Sequence, residues 1–261
     1  MAKGPSAVTA HEGEVEVVVL IKAAPEIGQK HGETVCVAGV DAYGKWHRLY
    51  PVPFRDLAPD QRFARWDRIR VRWRRPTDDD RVESKRIDPT SLQIISKVTG
   101  DERAAVAARA VVASLEGEMA QARSLALIRP ENATFVVRQL SAAEIAKSAR
   151  RRSELVDQSD MFAASLVPKD PPPYEFAYRF DHAGRSRRHV CIDWETEWTF
   201  FKWRQKYGEA EALKKIKEKW GEELPAKGIV FAMGTHRVRM FKKWLLSGVI
   251  QAAEPRQPTL L

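Results

Sequence analysis

Runs of β-branched and alternating residues fill the first hundred positions. Glu14–Lys22 (EVEVVVLIK), Thr34–Val40 (TVCVAGV) and Lys45–Tyr50 (KWHRLY) predict three strands, separated by Pro25, Gly28 and the turn Asp41–Gly44. In Arg68–Arg74, Ile69, Val71 and Trp73 alternate with Arg68, Arg70, Arg72 and Arg74, the pattern of a strand with one face inward. Ser84–Ile87 and Leu92–Val98 extend the series. Short strands punctuated by Gly and Pro predict a small barrel rather than a parallel sheet.

The period then changes to 3.6. Ala104, Ala108, Val111, Val112, Leu115 and Met119 share one face of a helix predicted to run from about Gly100 to Ala122. Leu125–Ile128 and Thr134–Gln139 read as strands around Pro130, and Ser141-x-x-Glu144 is a capping box opening a helix to about Leu155. The linker Pro168–Pro173 precedes strands at Tyr174–Phe180 and Arg187–Ile192. Helices at 195–207 and 209–224, the second with Leu213, Ile216, Trp220 and Leu224 inward, and strands at Gly228–Met233 and Trp244–Ile250 complete the chain. The expected fold class is α+β. Residues 1–13 read as disordered, 14–99 as an OB-like barrel, 100–166 as a helical or mixed connection, 174–252 as a mixed α/β domain, and 253–261 as a flexible tail.

With 44 Lys+Arg against 35 Asp+Glu, the net charge is +9, which points to a polyanionic partner. A 44 % hydrophobic content excludes a disordered chain. Two cysteines, Cys36 and Cys191, make no disulfide framework. No apolar run reaches the roughly 18 residues of a membrane span, and residues 1–14 lack a signal-peptide core, so the expected location is the cytoplasm, with no membrane partner. No P-loop, G-x-G-x-x-G, G-x-S-x-G or HExxH motif is present, which argues against a nucleotide-driven motor or a dinucleotide oxidoreductase.

Arg68, Arg70, Arg72 and Arg74 project from one strand face about 6.8 Å apart. Such a row repels itself unless an anion lies along it, and a phosphate backbone is the natural polyanion. Trp46, His47 and Arg48 on a neighbouring strand offer stacking beside it, and Arg62, Arg65, Arg75, Lys85 and Arg86 thicken the patch. The turn residues Arg185, Arg187 and Arg188 are further candidates for phosphate contact. The competing reading of the row is a solvated sheet face whose arginines pair with Asp67, Asp78, Asp79, Asp80 and Glu83.

In Arg188–Trp194 (RHVCIDW), His189, Cys191 and Asp193 share a face, and Glu195 and Glu197 follow at a helix start. Asp193 and Glu195 are candidate ligands for Mg2+ or Mn2+, with His189 or His236 assisting, as phosphodiester hydrolysis by a metal-dependent nuclease requires. The alternative is that Asp193 or Thr196 caps the helix while His189 packs at the sheet edge. No cofactor is otherwise implied.

The C-terminal Gln257-Pro-Thr-Leu-Leu261 resembles the short peptides with which bacterial DNA-processing proteins dock on the sliding clamp. Gln257, Leu260 and Leu261 would be the contact residues, although Pro258 and Leu261 depart from the usual pattern. Thr34–Val40 (TVCVAGV) followed by Gly44–Pro51 (GKWHRLYP) resembles the opening of prokaryotic dual-OB-type domains. Tyr174–Phe180, Ile192–Glu195 (IDWE) and Phe231–Thr235 (FAMGT) resemble a family of uncharacterised prokaryotic proteins that joins such a half to an α/β half. The resemblance implies a barrel-like first half and carries no activity.

Three functions follow as expectations. The first is a nucleic-acid-binding protein, with DNA favoured over RNA. The second is a metal-dependent nuclease on the same substrate. The third is a non-enzymatic subunit or adaptor of a larger nucleic-acid-processing or defence assembly.

Overall fold

The computed structural model describes residues 11–22, 26–28, 32–53, 57–147, 172–235 and 243–252. Its first half is a sheet of β1 (Glu12–Lys22), β2 (Glu26–Gly28), β3 (Gly32–Val40), β4 (Trp46–Val52), β5 (Asp67–Arg74), β6 (Ser84–Ile87) and β7 (Gln93–Lys97). Five of these strands close on themselves in the order β1-β3-β4-β6-β5 and back to β1, while β2 and β7 attach outside the ring. The β4–β6 pair is parallel and the other pairs of the ring are antiparallel. The expected barrel is therefore present, and closing the ring removes the exposed edges that an open sheet of short strands would carry.

The unbroken apolar run of β1 has a structural cause. Val17 and Val19 face the barrel interior with Val37, Leu49, Ile69, Val71 and Phe63. Val18 and Leu20 point the other way, into a second core. A strand buried on both faces cannot alternate apolar with polar.

That second core is shared by the two halves of the chain. Val18, Leu20, Val40, Trp46 and Trp66 pack there with Val106, Ala107, Leu125, Leu127, Val230, Ala232 and Ile250. The contributors from beyond the barrel are α1 (Gly100–Ala110), β8 (Leu125–Ile128), β12 (Ile229–Thr235) and β13 (Trp244–Gln251). The last three form one antiparallel sheet in the order β13-β12-β8. A second antiparallel sheet has the order β11-β10-β9, from β9 (Glu131–Gln139), β10 (Tyr174–His182) and β11 (Arg185–Val190).

The long helix expected over 100–122 is two short ones. α1 stops at Ala110, and α2 spans Leu115–Ala120. Between them Val111 bridges in parallel to Leu127, and Val112 donates its amide to the Leu127 carbonyl at 2.8 Å. Two adjacent β-branched residues favour the extended form, and pairing with β8 decides the contest. Ser114 restarts the helix by accepting from the Gly117 amide at 3.1 Å.

The capping box opening α3 (142–147) forms as expected, with Glu144 N–H donating to Ser141 Oγ and Ser141 N–H donating to the Glu144 carboxylate. The rest of that helix and most of the Pro168–Pro173 linker lie outside the described residues. α4 (Trp194–Tyr207) and α5 (Glu209–Glu218) follow β11, and a π-helical turn, Lys219–Glu223, joins α5 to α6 (Leu224–Ala226). Ile216 and Trp220 face an aromatic core in which the Tyr178 and Phe180 rings lie 4.8 Å and 5.0 Å from Phe231. Among the described residues no helix is long and apolar enough to cross a membrane.

Candidate functional site

The arginine row faces outward as the alternation predicts, with Arg70, Arg72 and Arg74 exposed and Ile69 and Val71 buried. It is, however, electrostatically answered. In the β1–β5 ladder Glu16 lies directly opposite Arg70, Glu14 opposite Arg72, and Glu12 opposite Arg74. Arg70 donates to Glu16 at 3.1 Å, Arg68 reaches Glu102 at 2.8 Å and Glu16 at 3.6 Å, and Arg72 donates to Asp88 at 2.8 Å. Opposite charges facing across an antiparallel pair stabilise the sheet and relieve the self-repulsion of the row. The pairing partners are not the acids named from the sequence: Asp79 instead holds Arg81, and Asp78 holds Arg86.

Trp46 and Arg48 require a correction. Trp46 is only 7 % exposed and sits in the shared core, so it offers no stacking face. Arg48 is buried as well, and its Nη2 lies 3.4 Å from the Ser124 carbonyl and 3.3 Å from Ser124 Oγ. Glu83 accepts from the Ser124 amide at 2.7 Å. These polar groups tie the barrel to the second half of the chain, a task unrelated to a ligand.

An aromatic and basic surface does exist, at the open end of the barrel. Trp73 is the last inward-facing position of β5, half-buried against the barrel core, and it lines a cleft of about 160 Å³ with Lys45, His47, Arg75, Arg81, Val82, Ser84 and Lys85. The Lys85 ammonium lies 3.0 Å from the centre of the indole ring. Burial, and then the nearby charge of Lys45, bring its pKa down to about 8. His47 Nε2 lies 3.0 Å from Asp41 Oδ2, and burial keeps this imidazole below its ordinary range despite the carboxylate. Asp41 also accepts from the amides of Tyr43 and Lys45, which shapes the turn carrying Lys45 to the cleft. Arg81 is bound by Asp79 and donates to the Thr235 carbonyl at 3.0 Å. Among the described residues, Lys45, Arg75 and Lys85 have no carboxylate within ion-pair distance.

Among the described residues the expected metal centre is not assembled. Asp193 is buried, and both of its oxygens are engaged: Arg65 Nη2 lies 3.0 and 3.1 Å from them, while the amides of Glu195 and Val249 donate at 3.1 and 2.9 Å. Four hydrogen bonds from these three donor groups occupy the carboxylate, so Asp193 is the cap of α4 and an ion-pair partner, as the alternative reading held. Glu195 also turns to Arg65, at 3.4 Å. His189 packs against Phe180 at 5.7 Å, and burial lowers its pKa. His236 lies outside the described residues, among which no three His, Cys, Asp or Glu side chains converge as a metal site. Burial pushes the Cys191 thiol up to about 12, which leaves it protonated and inert.

The β11 arginines are also paired. Arg185 and Arg187 share Glu116, and Arg188 binds Glu175. Gln257, Leu260 and Leu261 fall outside the described residues.

Two domain families divide the chain at this junction. Residues 13–113 match the domain of unknown function DUF8758, and residues 107–260, more than half the chain, match the domain of unknown function DUF8757. The chain belongs to the DUF8757 family. No curated protein matches it. The cleft of Trp73 and Lys85 lies within the DUF8758 segment, apart from the backbone of Thr235 that anchors Arg81. The Arg65–Asp193 pair joins the DUF8758 segment to the DUF8757 segment.

Proposed function

We propose that this is a nucleic-acid-binding protein, with DNA the favoured partner, and that its contact is the cleft at the barrel rim rather than the arginine row. The observation that carries the reading is the convergence of Lys45, Arg75 and Lys85, which have no carboxylate within ion-pair distance among the described residues, around the half-buried indole of Trp73. Like charges held together cost free energy, and a bound phosphate offsets that cost as it displaces counterions. Aromatic faces beside basic groups are what small barrels of the OB type offer to oligonucleotides, and this five-stranded ring with a single parallel pair is compatible with that type. The protein would act in the cytoplasm.

The test is a titration of the full chain against labelled DNA at several salt concentrations. The logarithm of the affinity should fall with the logarithm of the salt concentration, and Lys45→Ala and Arg75→Ala should each flatten that slope by about one unit. Absence of binding at low salt would overturn the reading and return the cleft's charge to a protein partner.

A further inference from the structure

Nucleic acid presents two different faces to a basic protein. A duplex offers a regular outer line of phosphates, with the faces of its bases stacked out of reach. An unpaired strand offers those faces directly, and an aromatic side chain receives them regardless of base identity. The two basic surfaces of this protein divide along the same line.

The surface suited to a duplex is the extended row Arg68, Arg70 and Arg72. Its guanidinium groups are committed to Glu16, Glu102 and Asp88, with the Glu12, Glu14, Glu16 ladder beside them. A duplex laid along this row would bring phosphates against that line of carboxylates. The surface on which Lys45, Arg75 and Lys85 have no carboxylate within ion-pair distance, among the described residues, is concave. Its volume of about 160 Å³ is too small for a double helix and comparable with one flat ring, and the indole of Trp73 is in its wall.

We infer, resting on the function proposed above, that the ligand is single-stranded, and that one unpaired base takes the place of the Lys85 ammonium over Trp73. On entry of the base, Lys85 swings from the ring to the adjoining phosphate, where Lys45 and Arg75 already line the cleft. The exchange trades a cation–π contact for base stacking plus an ion pair. Burial and Lys45 disfavour the positive charge of Lys85 in its resting place, and an adjoining phosphate favours that charge. Before the ligand arrives, Lys85 keeps the apolar ring covered.

Fluorescence anisotropy with a labelled 20-nucleotide strand, and with the same strand annealed to its complement, tests this at one salt concentration. The single strand should bind at least about tenfold more tightly, since stacking one base contributes that order of affinity. Trp73→Leu should remove most of the difference between the two ligands. Lys85→Met keeps the aliphatic stem and tests the same exchange should the tryptophan variant fold poorly: the single strand should lose affinity while the intrinsic quenching that reports the stacked base persists. Equal or tighter binding of the duplex would overturn this inference and leave the broader reading standing. Failure of both ligands to bind would overturn the two together.

Discussion

The guanidinium of Arg65 spans both oxygens of the Asp193 carboxylate at 3.0 and 3.1 Å, across the junction between the two halves of the chain. Arg65 Nη1 also donates to the Val249 carbonyl at 2.7 Å, while the Val249 amide donates to Asp193, so the pair is stitched to β13 from both sides. The side chains are 9 % and 1 % exposed. Burial alone would lower the pKa of the arginine, but Asp193 and then Glu195 hold it above the ordinary value.

Removing one member of such a pair leaves the other charged and uncompensated. Asp193→Ala should therefore destabilise the protein by about 3–5 kcal/mol, measured as a lower urea midpoint. Asp193→Asn should also cost stability. An Asp193→Asn variant of native stability that had lost a nucleolytic activity would restore the metal-centre reading.

The arginine row and the cleft make opposite demands on mutagenesis. Arg70→Ala and Arg72→Ala each remove a charge already balanced by Glu16 or Asp88, so DNA affinity should change less than about threefold, within the range of a balanced surface pair. Lys45→Ala or Arg75→Ala should weaken binding more than either. Titrations of the four variants at one salt concentration decide the matter, and a larger loss from the row would move the contact back there.

Binding should depend on pH above neutrality. The charged form of Lys85 is the one that meets a phosphate, and in the free protein that charge is lost as the pH rises through about 8. Affinity should be level below that point and fall above it, by no more than tenfold per pH unit for a single proton. The groups facing Lys85 are Lys45, Asp41, His47, Arg75 and Arg81, and His47 is already neutral there because burial lowers its pKa. Lys22 also titrates near 8, but it is bound to the Phe63 carbonyl in another part of the barrel. Lys85→Arg should make the profile flat; an unchanged profile would assign the proton elsewhere.

The turn that presents Lys45 has its own constraint. Gly44 has φ of 79°, and a Cβ there would come within 2.6 Å of the Arg109 carbonyl oxygen at the end of α1. Gly44→Ala should destabilise by about 1–3 kcal/mol, since both the left-handed backbone and the close approach forbid a side chain. Thermal unfolding measures the change.

The barrel was legible in the sequence because its strands announce themselves locally: alternation along Arg68–Arg74 needs no knowledge of the partner strand. Trp46 and Trp73 defeated the same reasoning. Both lie on strands with apolar and basic neighbours, and only the packing of Val106, Leu125 and Leu127 on one, against the open end of the ring beside the other, separates them. The neutralised row shows what a longer view of the pattern offers. Glu12, Glu14 and Glu16 alternate with the same period as the arginines, and pairing β1 with β5 turns two charged stripes into one ladder. The partners of Arg48 and Arg65, at Ser124 and Asp193, are too distant in the chain for any local pattern to reveal.

The core shared by β1, Trp46 and Trp66 with β8, β12 and β13 bears on how such a gene can be inherited. The two domain families overlap at residues 107–113, so a recombination event there would cut between strands whose apolar faces cover one another. Each fragment would emerge with a sticky flank and half of an ionic clasp. Selection would then favour passing the two segments on as a single reading frame, and exchanging new partners at the chain ends rather than at the seam.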